Sequence, residues 1–166
     1  MPDDAPTAEI RTQKITLVDS EGRERAVFQA TEEGALLAIG DKNGTQRVAI
    51  GVSADGVPTL RIGDKNGETR FTVFEQGDYI SVGVFGAKER IRCMMGVNED
   101  GVPTLAMADS RGTPRFMINL IGGMETPSLI LMDHDRNMRL FIQLQDDGTP
   151  AIKARDPEGN TLWTMG

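Results

Sequence analysis

Six arginines recur at a near-constant interval along the chain: Arg25, Arg47, Arg70, Arg92, Arg115 and Arg139. Each follows an anchor by six positions, the anchors being Asp19, Asp41, Asp64, Gly86, Asp109 and Asp133; a seventh anchor, Asp156, is followed by Leu162. A guanidinium is a permanent cation with a planar fork of donors, suited to carboxylates, phosphates and sulfates. Two chemistries follow. The series can form a ladder of cations, about 10 Å apart on alternate strands, that holds an anionic glycan or another polyanion. Alternatively, each arginine covers the sheet with its stem and pairs with a turn carboxylate of its own chain. With 25 acidic residues against 18 basic ones, and many of the acids in turns, the composition favours internal pairing.

Other candidate chemistry is sparse. Asp133-His134-Asp135-Arg136-Asn137 has the spacing of half a calcium loop, but Met138 stands where the loop glycine belongs and Leu144 where the closing glutamate belongs. His134, the only histidine, lies in a turn sequence. Cys93, the only cysteine, lies in an apolar alternation, which suits a buried and inert thiol. No G-x-S-x-G, H-E-x-x-H or P-loop pattern occurs. The reading is therefore a non-enzyme with no catalytic residue, metal or cofactor. Aromatic residues are 5% of the chain, too few for a repeated sugar or base platform. The nine methionines concentrate in the second half; they read as adaptable filler, with Met94, Met117 and Met132 as a candidate docking patch.

The elements that carry these residues follow from the repeat. GVSADGVPTL at 51–60 and GVNEDGVPTL at 96–105 agree at eight of ten positions, and IGDKNG occurs at 39–44 and 62–67. The seven anchors are separated by 22, 23, 22, 23, 24 and 23 residues. Apolar residues alternate before each anchor (Leu60, Ile62) and after each arginine (Val48, Ile50, Val52), the period of a strand. D-K-N-G is turn chemistry. Read as a four-residue loop, it sets Leu60 opposite Phe71 and Ile62 opposite Thr69. A loop one residue shorter would turn Arg70 to the apolar face. The fold class is all-β: seven tandem β-hairpin repeats in an antiparallel meander of about 14 short strands, curled or split into packed sheets, with a two-sheet β-solenoid as runner-up. The one-residue differences in repeat length are assigned to the loop before Pro58, Pro103, Pro127 and Pro150. Residues 1–12 read as a flexible acidic arm and 13–166 as a single β-repeat domain.

The unit L-x-I-x-D-x-x-G-x-x-R, the joining D-G-x-P and the terminal GNTLWTMG resemble uncharacterised bacterial tandem β-hairpin repeat proteins. The resemblance spans nearly the whole chain and implies a fold but no activity. A weaker similarity links it to the YD-type repeats of bacterial surface and toxin shells. Here the tyrosine is missing and arginine lies two positions later, so their function is not carried over.

A sheet that is apolar on one face needs cover. The expected function is a non-catalytic structural or interaction module: an accessory or self-assembling subunit that docks on a larger protein complex. The alternative is polyanion binding through the arginines. A protein partner or a homo-oligomer is expected. A net charge of −7 speaks against nucleic acid. No apolar run is long enough for a transmembrane helix and no leader pattern opens the sequence, which reads as cytoplasmic, with room for peripheral docking on a membrane complex.

Overall fold

The computed structural model describes residues 9–166 except 78, 99, 123 and 124. Most of the acidic arm expected at 1–12 therefore lies outside the described residues, as does Met124. The chain forms one antiparallel sheet of fourteen strands in strict sequence order. They are β1 (Lys14–Val18), β2 (Glu24–Thr31), β3 (Gly34–Gly40), β4 (Gln46–Ser53), β5 (Pro58–Gly63), β6 (Thr69–Gln76) and β7 (Tyr79–Phe85). The second half holds β8 (Ile91–Val97), β9 (Pro103–Ala108), β10 (Pro114–Ile121), β11 (Thr126–Met132), β12 (Met138–Leu144), β13 (Pro150–Arg155) and β14 (Thr161–Met165). A single 3-10 turn, Ala87–Glu89, replaces the anchor turn of the repeat that lacks Asp.

In a meander, alternate turns fall on opposite margins of the sheet. Along one margin lie the seven anchor turns. Each is a three-residue loop closed by the backbone, as in Asp64 N–H to the Glu68 carbonyl (2.9 Å) and Gly67 N–H to the Asp64 carbonyl (2.9 Å). The sequence reading had one residue too many in this loop. The structure makes up the difference with a β-bulge: Gly63 pairs with Thr69 and Ile62 with Phe71, so Arg70 is the extra residue. Leu60 consequently faces Val73, two residues further along than the four-residue loop implied. The same irregularity recurs in all seven hairpins, at Arg25, Arg47, Arg70, Arg92, Arg115, Arg139 and Leu162. A bulge opposes two residues to one and restores the phase that the short loop would invert.

Along the other margin the turns vary. Pairing brackets loops of two residues after β2 and β6, three after β4, β8 and β12, and four after β10. This order reproduces the steps of 22, 23, 22, 23, 24 and 23 between anchors. All length variation thus sits on one margin, as the prolines suggested.

Two rows of side chains cross the sheet on one face. One runs Leu17, Ala26, Ile39, Val48, Ile62, Phe71, Val84, Cys93, Met107, Phe116, Leu131, Leu140, Ala154, Trp163. The other runs Ile15, Phe28, Leu37, Ile50, Leu60, Val73, Val82, Met95, Leu105, Ile118, Leu129, Ile142, Ile152, Met165. None of these 28 positions is charged or carries a hydroxyl or amide. The opposite face mixes small and polar residues with large apolar ones such as Leu36, Phe74, Ile130 and Phe141, and it supplies the best-buried side chains: Ala49, Ser81 and Ser128.

The sheet neither closes nor splits. All substantial strand–strand contacts join sequence neighbours, and no large side chain among the described residues is fully buried. The filled interior expected of a curled or split sheet is not built by one chain. A second packed layer would need non-adjacent strands to approach one another, and the substantial contacts are all between sequence neighbours.

Backbone conformation makes a direct prediction. Gly34 adopts φ +127°, and a Cβ there would lie 2.1 Å from the Val52 carbonyl oxygen. Arg136 occupies, at φ 68°, the left-handed turn position that is glycine in five other repeats. Gly34→Ala is expected to lower the urea midpoint sharply. Arg136→Gly is expected to raise it, by about 0.5–1 kcal/mol of stability. Equilibrium unfolding followed by circular dichroism checks both.

Candidate functional site

The repeated arginines all lie at the anchor margin, because a bulge in every hairpin puts them there. Within a repeat, each anchor aspartate closes its turn by accepting backbone N–H groups. Asp41 Oδ1 accepts from Asn43 (2.9 Å) and Thr45 (3.2 Å), and Asp133 Oδ1 from Asp135 and Asn137 (both 2.9 Å). The second oxygen faces the arginine of the bulge. Arg25 pairs with Asp19 at 3.5 Å, Arg47 with Asp41 at 3.6 Å and Arg115 with Asp109 at 3.6 Å; Arg70 and Arg139 approach Asp64 and Asp133 more closely. Arg92 has no anchor carboxylate, since Gly86 holds that place.

The same guanidinium reaches the next repeat. Arg47 Nε donates to the Gly63 carbonyl (3.0 Å), Arg92 Nε to Ala108 (2.9 Å) and Arg115 Nε to Met132 (2.9 Å). Arg70 donates to the Gly86 carbonyl (2.6 Å), and Arg139 to those of Asp156 and Pro157. Only Arg25 lacks this second bond; its Nε is buried without a partner. Arg47, Arg70, Arg115 and Arg139 are thus staples between their own anchor turns and the next. None of the repeated arginines takes a place in the regular cross-strand pairing: Ala38 faces Val27 and Ala49, and Gly83 faces Thr72 and Met94. The reason is the bulge, which takes the arginine out of the regular pairing.

Folding lowers the pKa of every anchor aspartate. For Asp41 and Asp64 the main cause is the backbone N–H two residues on, from Asn43 and Asn66; for Asp156 it is the side-chain amide of Asn160. Around Asp19, Asp109 and Asp133 the largest single influence is loss of solvent, which pushes the pKa up. The combined hydrogen bonds outweigh it, with Arg23, Arg111 and Asn137 prominent among the donors.

The other candidates are not brought together. Cys93 sits in the first apolar row between Val84 and Met107. His134 is exposed at the anchor margin, 3.1 Å from Asp135. Among the described residues, no three His, Cys, Asp or Glu side chains are arranged to hold a metal ion. Met94 and Met117 flank Ala106 on the mixed face, and Met132 lies at the anchor margin, at the end of β11. Sequence reasoning singled out these three and passed over the more exposed pair, Met95 (57%) and Met107 (48%), on the apolar face.

Two larger features emerge from the topology. One is the apolar face itself, with Phe28 56% and Trp163 50% exposed. A shallow hollow on it lies among Phe28, Leu37, Ile50, Leu60, Val73 and Ile80. The other is a charge asymmetry. The anchor-margin segments (18–25, 40–47, 63–70, 85–92, 108–115, 132–139, 155–162) contain twelve acidic and fourteen basic residues. The opposite segments (31–34, 53–58, 75–79, 97–103, 121–126, 144–150) contain ten acidic residues and no basic one. The signal was present in the sequence, but it appears only when turns are sorted by margin. No family model matches the chain, and neither does any curated protein.

The staples predict acid sensitivity. Because folding depresses these carboxylate pKa values, the unfolded chain binds more protons in acid, and stability falls as pH drops below about 4. Melting temperature measured from pH 5 to pH 2 should decline. Asp133→Asn should melt lower than the unsubstituted chain at pH 5 and lose less than it does on acidification.

Proposed function

We propose that the chain is a non-catalytic structural or interaction module, an accessory or self-assembling subunit that docks in a larger assembly through its apolar sheet face. One observation carries this reading: two side-chain rows run across all fourteen strands without a single charged, hydroxyl or amide side chain, and much of that surface is open to solvent. Isolated apolar residues at a surface are ordinary, but a continuous apolar face of this extent belongs to a contact. The arginines support the same view, since their donors are engaged by anchor carboxylates and by carbonyls of the next repeat. No observation favours polyanion binding.

The test compares the unsubstituted chain with the double variant Ile50→Lys/Ile118→Lys, two half-exposed positions of one row. Light scattering of the unsubstituted chain, alone and with its native binding protein, should show a species heavier than the 18.1 kDa chain. The variant should keep its β-type circular dichroism and lose the association. A chain that stays single in both settings, and whose face substitutions change nothing, would remove the proposal.

A further inference from the structure

We infer that the apolar face is covered by a second copy of this chain, stacked face to face about a two-fold axis that runs along the length of the sheet. The inference rests on the reading of that face as a docking surface and names its occupant.

Area is the first argument. The chain exposes 11545 Å². A folded chain of its mass ordinarily exposes about 8,000 Å². Fourteen strands at ~4.8 Å spacing, and about four residues of each, give the apolar face a footprint of roughly 65 by 14 Å, near 900 Å². A stable protein–protein interface takes about 800 Å² from each partner. The face of one chain is therefore large enough to hold a dimer together.

Shape and chemistry come next. A covering surface must be as long as the sheet and free of charge at every step, because the two rows have no polar interruption at which a mixed surface could be satisfied. A second copy meets both conditions by construction, and sheets pack face to face at about 10 Å with side chains interdigitating. Lipid is a poorer match. The strands are five to eight residues long. A strand that crosses a bilayer needs about nine to eleven.

Charge then selects the axis. Two apolar faces can meet about a two-fold along the strands or one along the sheet. The first reverses strand order and lays acidic margin on acidic margin, with the carboxylates of eight described residues from each copy on one side. The second lays the acidic margin of one copy over the anchor margin of the other, where fourteen basic residues stand among twelve acidic ones. Like charges brought together are costly, and a margin balanced in charge spares the acidic turns that cost, so the axis along the sheet is the one assigned. In that arrangement the turn at Asp55 lies over the turns holding Asn43 and Asn66 of the second copy. The alternative axis lays it over the turn at Glu125.

Cross-linking tests this. Asp55→Cys, Asn66→Cys and Glu125→Cys are made singly, each with Cys93→Ser, and mixed pairwise with a short bismaleimide. The expected result is a covalent species of twice the chain mass from Asp55→Cys with Asn66→Cys, at least ten times more abundant than from Asp55→Cys with Glu125→Cys or from Asp55→Cys alone. The reverse ratio overturns the assigned axis. Sedimentation of the unsubstituted chain gives an independent reading: a discrete dimer supports the inference, while a monomer or an open-ended polymer joined through β1 and β14 overturns it. A chain that is monomeric alone but associates with a different protein through Ile50 and Ile118 overturns the dimer and leaves the docking role standing. Binding to phosphatidylcholine vesicles in preference to self-association also overturns it.

Discussion

The structure depends on a phase constraint. A strand exposes alternate residues to alternate faces, so a single misplaced residue in a turn would send the whole following strand to the wrong side. The anchor turn has three residues, one too few to keep the apolar series in step. The bulge supplies the missing residue in every hairpin, and in six of seven that residue is arginine. Its position follows from backbone geometry. Its identity follows from what surrounds a bulge beside a turn: an aspartate whose second oxygen is free, and a carbonyl of the next repeat within reach of a long side chain. Phase correction, turn closure and repeat-to-repeat stapling are thus performed at one place.

This arrangement explains how fourteen strands stay together without an interior. Each repeat touches only its neighbours, as in other quasi-one-dimensional arrays. Cohesion comes from the backbone ladder, from cross-strand side-chain pairs and from the stapled margin. The mixed face contributes by filling glycine positions with neighbouring rings: a Cβ at Gly83 would meet Phe85 at 2.8 Å and Phe74 at 3.4 Å. Such a sheet is complete as a hydrogen-bonded object and incomplete as a hydrophobic one, and the proposed function rests on that difference.

The two margins divide the labour. Anchor turns are uniform in length and nearly balanced in charge because each must hold a bulge, and most a staple as well. The opposite turns have no such duty; they vary from two to four residues and carry only acidic charge. Freedom in length and a one-sided charge therefore coincide. Where a repeat departs from the pattern, the structure adjusts locally: Gly86 replaces aspartate, Lys88 and Glu89 take left-handed conformations, and the Glu89 carboxylate accepts the Thr69 N–H of the preceding repeat at 2.8 Å.

What the amino-acid order determined was the local and the periodic. Strand identity, antiparallel order, repeat boundaries and the side of the length variation were all legible, because alternation, turn residues and spacing act between residues near one another in the chain. Phase was legible too, since Ile62 and Phe71 had to share a face; the means of achieving it was not, because a four-residue loop and a three-residue loop with a bulge have the same parity. The tertiary structure alone decided that the sheet stays a single open layer. That outcome turns on twist and on contacts between distant strands, which no repeat of 23 residues encodes by itself. It also decided that the arginines leave the regular pairing to bind their own turns, and that the acidic residues gather on one margin, since both depend on which turns lie side by side.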